Sequence, residues 1–183
     1  MTADHIRNTV LKELSHSLTA IPAERISAIV EEIRKDRRVF CDAAGRSRLQ
    51  VEGFAMRLIQ MGFPAQIVGE PTTPAITGED VLLVCSASGE TPSLVEHARR
   101  ARGLGVPVLL ITASADSSLA ALSSCRIVLK ASSKQTETSA SIQPMGSLFE
   151  QSLGILLDIM VLQLMEKYSI TNEEMYRNHS NLE

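Results

Sequence analysis

Short, mostly apolar runs rich in β-branched residues recur along this chain at 38–43 (RVFCDA), 65–68 (AQIV), 81–85 (VLLVC), 106–111 (VPVLLI) and 125–129 (CRIVL). Runs of that kind are the pattern of strands covered on both faces of a parallel sheet. Between them the apolar spacing becomes helical: Val51, Phe54, Ala55, Leu58 and Ile59 share one face of a helix at 48–61, and further helices are expected at 93–104 and near 117–123. Two helices open the chain, at 3–18 and at 23–36, the second behind Pro22. A long helix closes it at 146–167, with apolar residues from Leu148 and Phe149 to Leu164 and Met165 around more than half its circumference. Such a helix needs burial on several sides, which an oligomer interface or the chain's own sheet would equally provide.

The alternation of strand and helix predicts an α/β fold, a three-layer α-β-α sandwich with a five-stranded parallel sheet. One domain is expected over 1–183: N-terminal helices in 1–37, a sheet core in 38–130, a mobile loop at 131–141 (ASSKQTETSAS) and a C-terminal helix and tail in 142–183. No internal repeat is visible. Composition agrees, since 183 residues with 44% hydrophobic content suit one good core. A net charge of −3 and an aromatic content of 3% give neither the basic field nor the stacking surface that nucleic acid requires. Cys41, Cys85 and Cys125 each sit in or beside a strand run, and their odd number suits buried thiols in a reducing cytoplasm better than disulfides. The amphipathic start MTADHIRNTVLKEL lacks a signal-peptide core, and Asp158 and Gln163 interrupt the closing helix, so a soluble, cytoplasmic protein with no membrane span is expected.

The chemistry concentrates after the third strand. Ser86, Ser88 and Thr91 offer hydroxyls, Gly89 permits close approach, and Thr91-Pro92 starts a helix whose free N–H groups face the loop. A helix start with converging donors suits an anion, although the same SxSGxT pattern also serves turns that merely cap their own helix. The first strand exits through Ala44-Gly45-Arg46-Ser47-Arg48, on the same carboxyl-end rim where ligands of open α/β sheets gather. That run keeps only the middle glycine of GxGxxG, and neither loop contains GK[ST]. A sugar or other monophosphate therefore fits better than a nucleotide. No cluster of His, Cys and carboxylates has metal-ligand spacing, so no metal is expected. His5, His16 and His97 lie in helical patterns with no evident partner.

With AGRS at 44–47, FAMRL at 54–58, VGE and TPAI at 68–70 and 73–76, SASGET at 86–91, SLFEQ at 147–151 and HSNLE at 179–183, the chain resembles a sugar isomerase (SIS) domain. Within that group it is most similar to the 6-phospho-3-hexuloisomerases. The resemblance implies a flavodoxin-like sheet and cofactor-free interconversion of D-arabino-hex-3-ulose 6-phosphate and fructose 6-phosphate, a step of formaldehyde fixation. It also implies a homotetramer or homodimer. It assigns phosphate binding to Ser86, Ser88, Gly89 and Thr91, sugar contacts to Gly45, Arg46 and Ser47, the catalytic base to Glu150, and a proton-moving role to His179, which a neighbouring subunit would be able to supply. Read without the resemblance, Glu150 would simply complement a helix dipole and His179 would be a solvated residue near a chain end. Two positions depart from the family's GAGRSG: Ala43 replaces its first glycine and Arg48 its last. Arg48 would either add a phosphate contact or narrow the entrance. The remaining alternatives are another sugar phosphate as substrate, or a non-catalytic module that senses one.

Overall fold

Odd and even residues of the strands separate into two apolar layers. Val39, Cys41, Ala43, Leu83, Cys85, Leu109, Ile111 and Ile127 belong to one buried cluster, whereas Phe40, Leu82, Val84, Val108 and Leu110 belong to another. This is the period of two expected for strands with both faces covered. The computed structural model of the chain describes residues 1–131 and 141–182. The loop expected at 131–141, with Lys134, falls outside the described residues except at its two ends.

The described elements run α1 (Ala3–Thr19), α2 (Ala23–Glu32), β1 (Val39–Ala43), α3 (Arg46–Gln60), β2 (Ala65–Ile67), β3 (Val81–Ser86), α4 (Pro92–Gly103), β4 (Val108–Thr112), α5 (Ser118–Leu122), β5 (Cys125–Val128), α6 (Ser147–Tyr168) and α7 (Asn172–Arg177). All five strands are parallel, in the order β2-β1-β3-β4-β5. Helices α2, α3 and α6 cover one face and α4 and α5 the other, giving the expected three layers. The chain adds β2 on one side of β1 and β3 on the other, so the order of strands switches between β1 and β3 and the crevice beyond their carboxyl ends becomes the place for a ligand.

Some boundaries differ from the sequence pattern, each for a local reason. β4 starts at Val108, two residues late, because Pro107 has no N–H for a ladder and contributes only its carbonyl, which accepts from Leu82 N–H at 3.0 Å. α2 stops at Glu32 instead of 36: Ile33 turns extended (φ −89°, ψ 108°) and buries its side chain completely in the core. α3 starts at Arg46 rather than 48, behind Gly45 with φ 58°, so Arg46 and Ser47 ride on a helix. α7 has no counterpart in the apolar pattern. Its start is a capping box in which Thr171 accepts from Glu174 N–H and Glu174 accepts from Thr171 N–H.

α6 lies against its own subunit. Phe149, Leu153, Leu156, Met160 and Leu164 are fully buried, while Ile155 and Leu162 on the outer side stay exposed. Length and composition alone would let this helix cross a membrane, yet 56% of its most apolar stretch is buried inside the fold, as for a core helix. Cys41 and Cys85 are buried and Cys125 half-buried, all as free thiols.

Where β1 and β3 begin, Asp80 is held by four bonds. Arg38 donates to both carboxylate oxygens at 2.7 Å, and Thr77 adds its N–H at 2.7 Å and its hydroxyl at 3.0 Å. Burial alone would raise the Asp80 pKa; the bonds from Arg38 and Thr77 outweigh it and hold the group below its ordinary 3.8. A lowered folded pKa contributes stability that is present above 3.8 and lost as pH falls through the folded value. Asp80→Asn is expected to lower unfolding free energy at neutral pH by about 1–3 kcal/mol. In urea titrations the gap between variant and wild type should close as the solution is acidified.

Candidate active site

Two strand exits build the rim of the site. After β1, Gly45 takes φ 58° and turns the chain straight into α3, so Arg46 and Ser47 occupy its first turn. After β3 the chain forms a tight turn in which Gly89 N–H donates to Ser86 Oγ (3.2 Å) and Glu90 N–H to Ser88 Oγ (3.2 Å). Ser86 and Thr91 share a hydroxyl contact of 3.4 Å. Thr91 sits at the N-cap of α4 with Pro92 behind it, as its sequence implies, but its side chain makes no capping bond. The first-turn N–H groups of α4 are thus left without a side-chain cap, which favours the anion-site reading over a self-capped turn.

The turn is fastened from behind. Leu119 N–H donates to Gly89 O at 3.1 Å, and Ser118 N–H to Glu90 Oε1 at 2.7 Å. The Ser118 hydrogen bonds hold the Glu90 carboxyl below its usual range. Gly89 has φ +68°, and a Cβ there would run into the Ser117 side chain. Its glycine is required by this close approach to α5; it does not itself line the cavity.

α6 supplies the third wall. Glu150, in its first turn, is 4% exposed, and Arg46 Nε donates to Glu150 Oε2 at 2.6 Å across 104 residues of sequence. The cavity between the three walls measures about 300 Å³ and is lined by Gly45, Ser47, Ser86, Ser88, Thr91 and Glu150 among the expected residues. Ala44, Cys85, Ala87, Leu94, Gly146 and Phe149 complete it. Its size is at the low end of small-molecule pockets. Hydroxyls line one side and the Glu150 carboxylate the other; Arg46, expected to contact the sugar, bonds to that carboxylate but is not itself part of the lining. Such an arrangement has the chemistry to bind an anion at one end and to move protons at the other.

His179 is not brought to this cavity within one chain. α6 runs from the carboxyl edge of the sheet to its amino edge, and Glu150 and Tyr168 at its two ends are about 27 Å apart along the axis. Beyond it, Asn178 Nδ2 donates to the carbonyl of Gln60 at the far end of α3, and the exposed His179 stacks on Tyr176. Arg48 also points elsewhere: it donates to Glu52 (2.7 Å), to Val68 O (2.9 Å) and to Glu70 (2.6 Å), and neither lines the cavity nor narrows it. His97, for which the sequence offered no partner, meets the buried Asp42 at 2.8 Å. Gly146 and Phe149 were missed because only the tertiary path of α6 reveals them. Glu90, by contrast, stands inside SASGET and carries no sequence signal for its partner.

A family model for the SIS domain matches residues 32–153. Several curated relatives carry the name 3-hexulose-6-phosphate isomerase. The one from Bacillus subtilis is 39% identical over 95% of each chain; the one from Mycobacterium gastri is 34% identical over 100% of this chain and 94% of its own. Among solved structures, a hypothetical protein of Methanococcus jannaschii superimposes with a TM-score of 0.82 at 27% identity, covering 98% of both chains. Its crystal structure was described as inferring a function of 3-hexulose-6-phosphate isomerase.

Because Gly89 combines a left-handed backbone with contact against Ser117, Gly89→Ala is expected to destabilise the protein by about 1–2 kcal/mol through the backbone alone. Displacement of the turn should weaken binding of a sugar phosphate as well as lower the melting temperature. Calorimetric titration with fructose 6-phosphate beside thermal unfolding would measure both.

Proposed function

The chain belongs to the SIS domain family, and we propose that it interconverts D-arabino-hex-3-ulose 6-phosphate and D-fructose 6-phosphate. One observation carries this reading: a buried carboxylate, paired to an arginine, shares a cavity with a loop and helix start suited to a phosphate monoester. Names of the relatives supply the substrate.

In this reading the phosphate lies on Ser86, Ser88 and Thr91 and on the first-turn N–H groups of α4. Each hydrogen bond to a charged partner contributes roughly 1.5–3 kcal/mol, so a few converging donors suffice without a lysine. The substrate then extends toward α6 and presents C2 and C3 to Glu150. Glu150 lifts the proton at C2, α to the C3 carbonyl, and the electron pair forms a 2,3-enediol. Return of a proton to C3, with transfer of one from the C2 hydroxyl toward the C3 oxygen, leaves the carbonyl at C2. Arg46 holds Glu150 in place and brings a positive charge to the edge where the enediolate oxygens develop negative charge. Gly45 and Ser47 shape the sugar side of the cavity.

His179 enters this scheme only from a second copy of the chain. Exposed Leu49, Met56 and Ile155, with Leu14, border an open groove of about 510 Å³ between α1, α3 and α6, and Leu162 is exposed further along α6. A homodimer or homotetramer that covers this face is the proposed assembly.

A coupled assay that supplies 3-hexulose 6-phosphate and detects fructose 6-phosphate tests the reaction. Binding of the phosphosugar without turnover would instead indicate a sensing module. Glu150→Gln is expected to lower kcat by about 10²–10⁴-fold with KM little changed, as for loss of a general base. If Glu150 and His179 of different subunits share one site, mixing and reassociating Glu150→Gln with His179→Ala should recover activity that neither variant has alone. Mixtures no more active than their parts would remove His179 from the mechanism.

A further inference from the structure

The strand that feeds the Gly45 turn carries a carboxylate where its neighbours are apolar. Asp42 is 3% exposed, stands between Cys41 and Ala43 and lies opposite Val84 of β3. By strand alternation its side chain points to the α4 face, the side of Phe40, Leu82 and Val84. There His97 of α4 meets it, Nδ1 to Oδ2 at 2.8 Å, with the imidazole partly open to solvent. Burial pushes the Asp42 carboxyl up; His97, the charge of Arg48 and the Ala43 N–H only partly offset this. Such a pair is a poor source of stability, because well-packed apolar residues in its place are often as stable or more so. It does fix a position.

The position it fixes is that of the phosphate-binding helix. Backbone pairing sets β1 against β3, but α4 lies on the sheet through Leu94, Val95, Ala98 and Ala101 packed on Phe40, Leu82 and Val84. Apolar contacts of this kind are non-directional and tolerate small slides along the helix axis. The Asp42 to His97 bond does not. It joins the penultimate residue of β1, just ahead of Gly45, to a residue in the second turn of α4, whose first turn receives the phosphate.

We propose that Asp42 and His97 are a positioning pair that sets the phosphate-binding start of α4 against the Gly45–Ser47 loop. This deepens the isomerase reading and rests on it for the identity of the sugar, though not for the anion site. Neither residue lines the cavity, and neither is assigned a contact with substrate.

The test replaces the pair by apolar residues, Asp42→Val with His97→Leu, so that no charge is left buried alone. His97→Asn serves as the conservative control, because its amide N–H can take the place of Nδ1–H. The double variant should melt no lower than wild type. It should raise the Kd for inorganic phosphate and the KM for 3-hexulose 6-phosphate about tenfold, well short of the 10²-fold loss that a 1 Å misplacement can cause. Its kcat should stay within about a factor of two. Amide hydrogen exchange across residues 88–94 of the free protein should accelerate by a similar factor. His97→Asn should restore all of these. A double variant with unchanged exchange at 88–94 overturns the pair's role, whatever the turnover. Faster exchange and weaker phosphate binding in a protein that turns over no hexulose phosphate would leave the pair standing and remove the isomerase reading instead.

Discussion

Ala43 and Cys85 lie opposite each other in parallel strands, and that register decides where the polar groups of the site come to rest. Strands that end level with one another release their chains onto the same rim. The turn at Gly45 and the turn at 86–91 are therefore neighbours without any direct bond between them. Each turn leads at once into a helix, so both helices point their N-termini at the same crevice. Once the register is set, the remaining polar elements only need to face inward. α6 does so with its first turn, and the bond from Arg46 to Glu150 closes the ring of three elements.

The use of charge around this rim is sparing. Arg46 and Arg48 are two residues apart at the start of α3, which places them about 200° apart around the helix. Arg46 thereby faces α6 and Glu150, while Arg48 faces the turn after β2 and is used up by Glu52, Glu70 and the Val68 carbonyl. Arg48, in place of the family's last glycine, acts as a strut beneath the 68–70 turn and not at the entrance of the cavity. The end of the cavity at the start of α4 is left to hydroxyls and backbone N–H groups, a preorganised polar surface without a mobile cation. Glu150 keeps a guanidinium beside it, so a carboxylate can be buried to 4% exposure without standing alone.

Much of this was legible in the sequence, and what was not has a common cause. The strands could be read because both faces are buried, which forces nearly continuous apolar runs in β3 and β4. The turn into α4 could be read because its hydroxyls, glycine and proline are adjacent in the chain. Signals weaker than burial failed. α7 has only six residues and one buried side chain, so no period betrays it, although Thr171 and Glu174 carry the spacing of a capping box. Pro107 and Ile33 moved boundaries through a missing donor and a pull into the core. Asp42 with His97, and Glu90 with Ser118, are contacts across 55 and 28 residues whose partners no local pattern names.

The same distinction separates the two groups proposed for proton transfer. SLFEQ and HSNLE carry the two residues to which the resemblance assigns catalysis, but a motif fixes chemistry and not distance. Glu150 lies in the first turn of α6, and His179 lies beyond its last, so the rigid length of a 22-residue helix stands between them. No local adjustment within one chain shortens that span, because the helix is pinned along its length by fully buried side chains. A histidine so placed can act only across an interface, and the outer surface of α6 keeps Ile155 and Leu162 exposed where a soluble monomer would favour polar residues. Any role in catalysis is thus tied to assembly, and a chain that stays monomeric would have to complete the enediol chemistry with Glu150 and Arg46 alone.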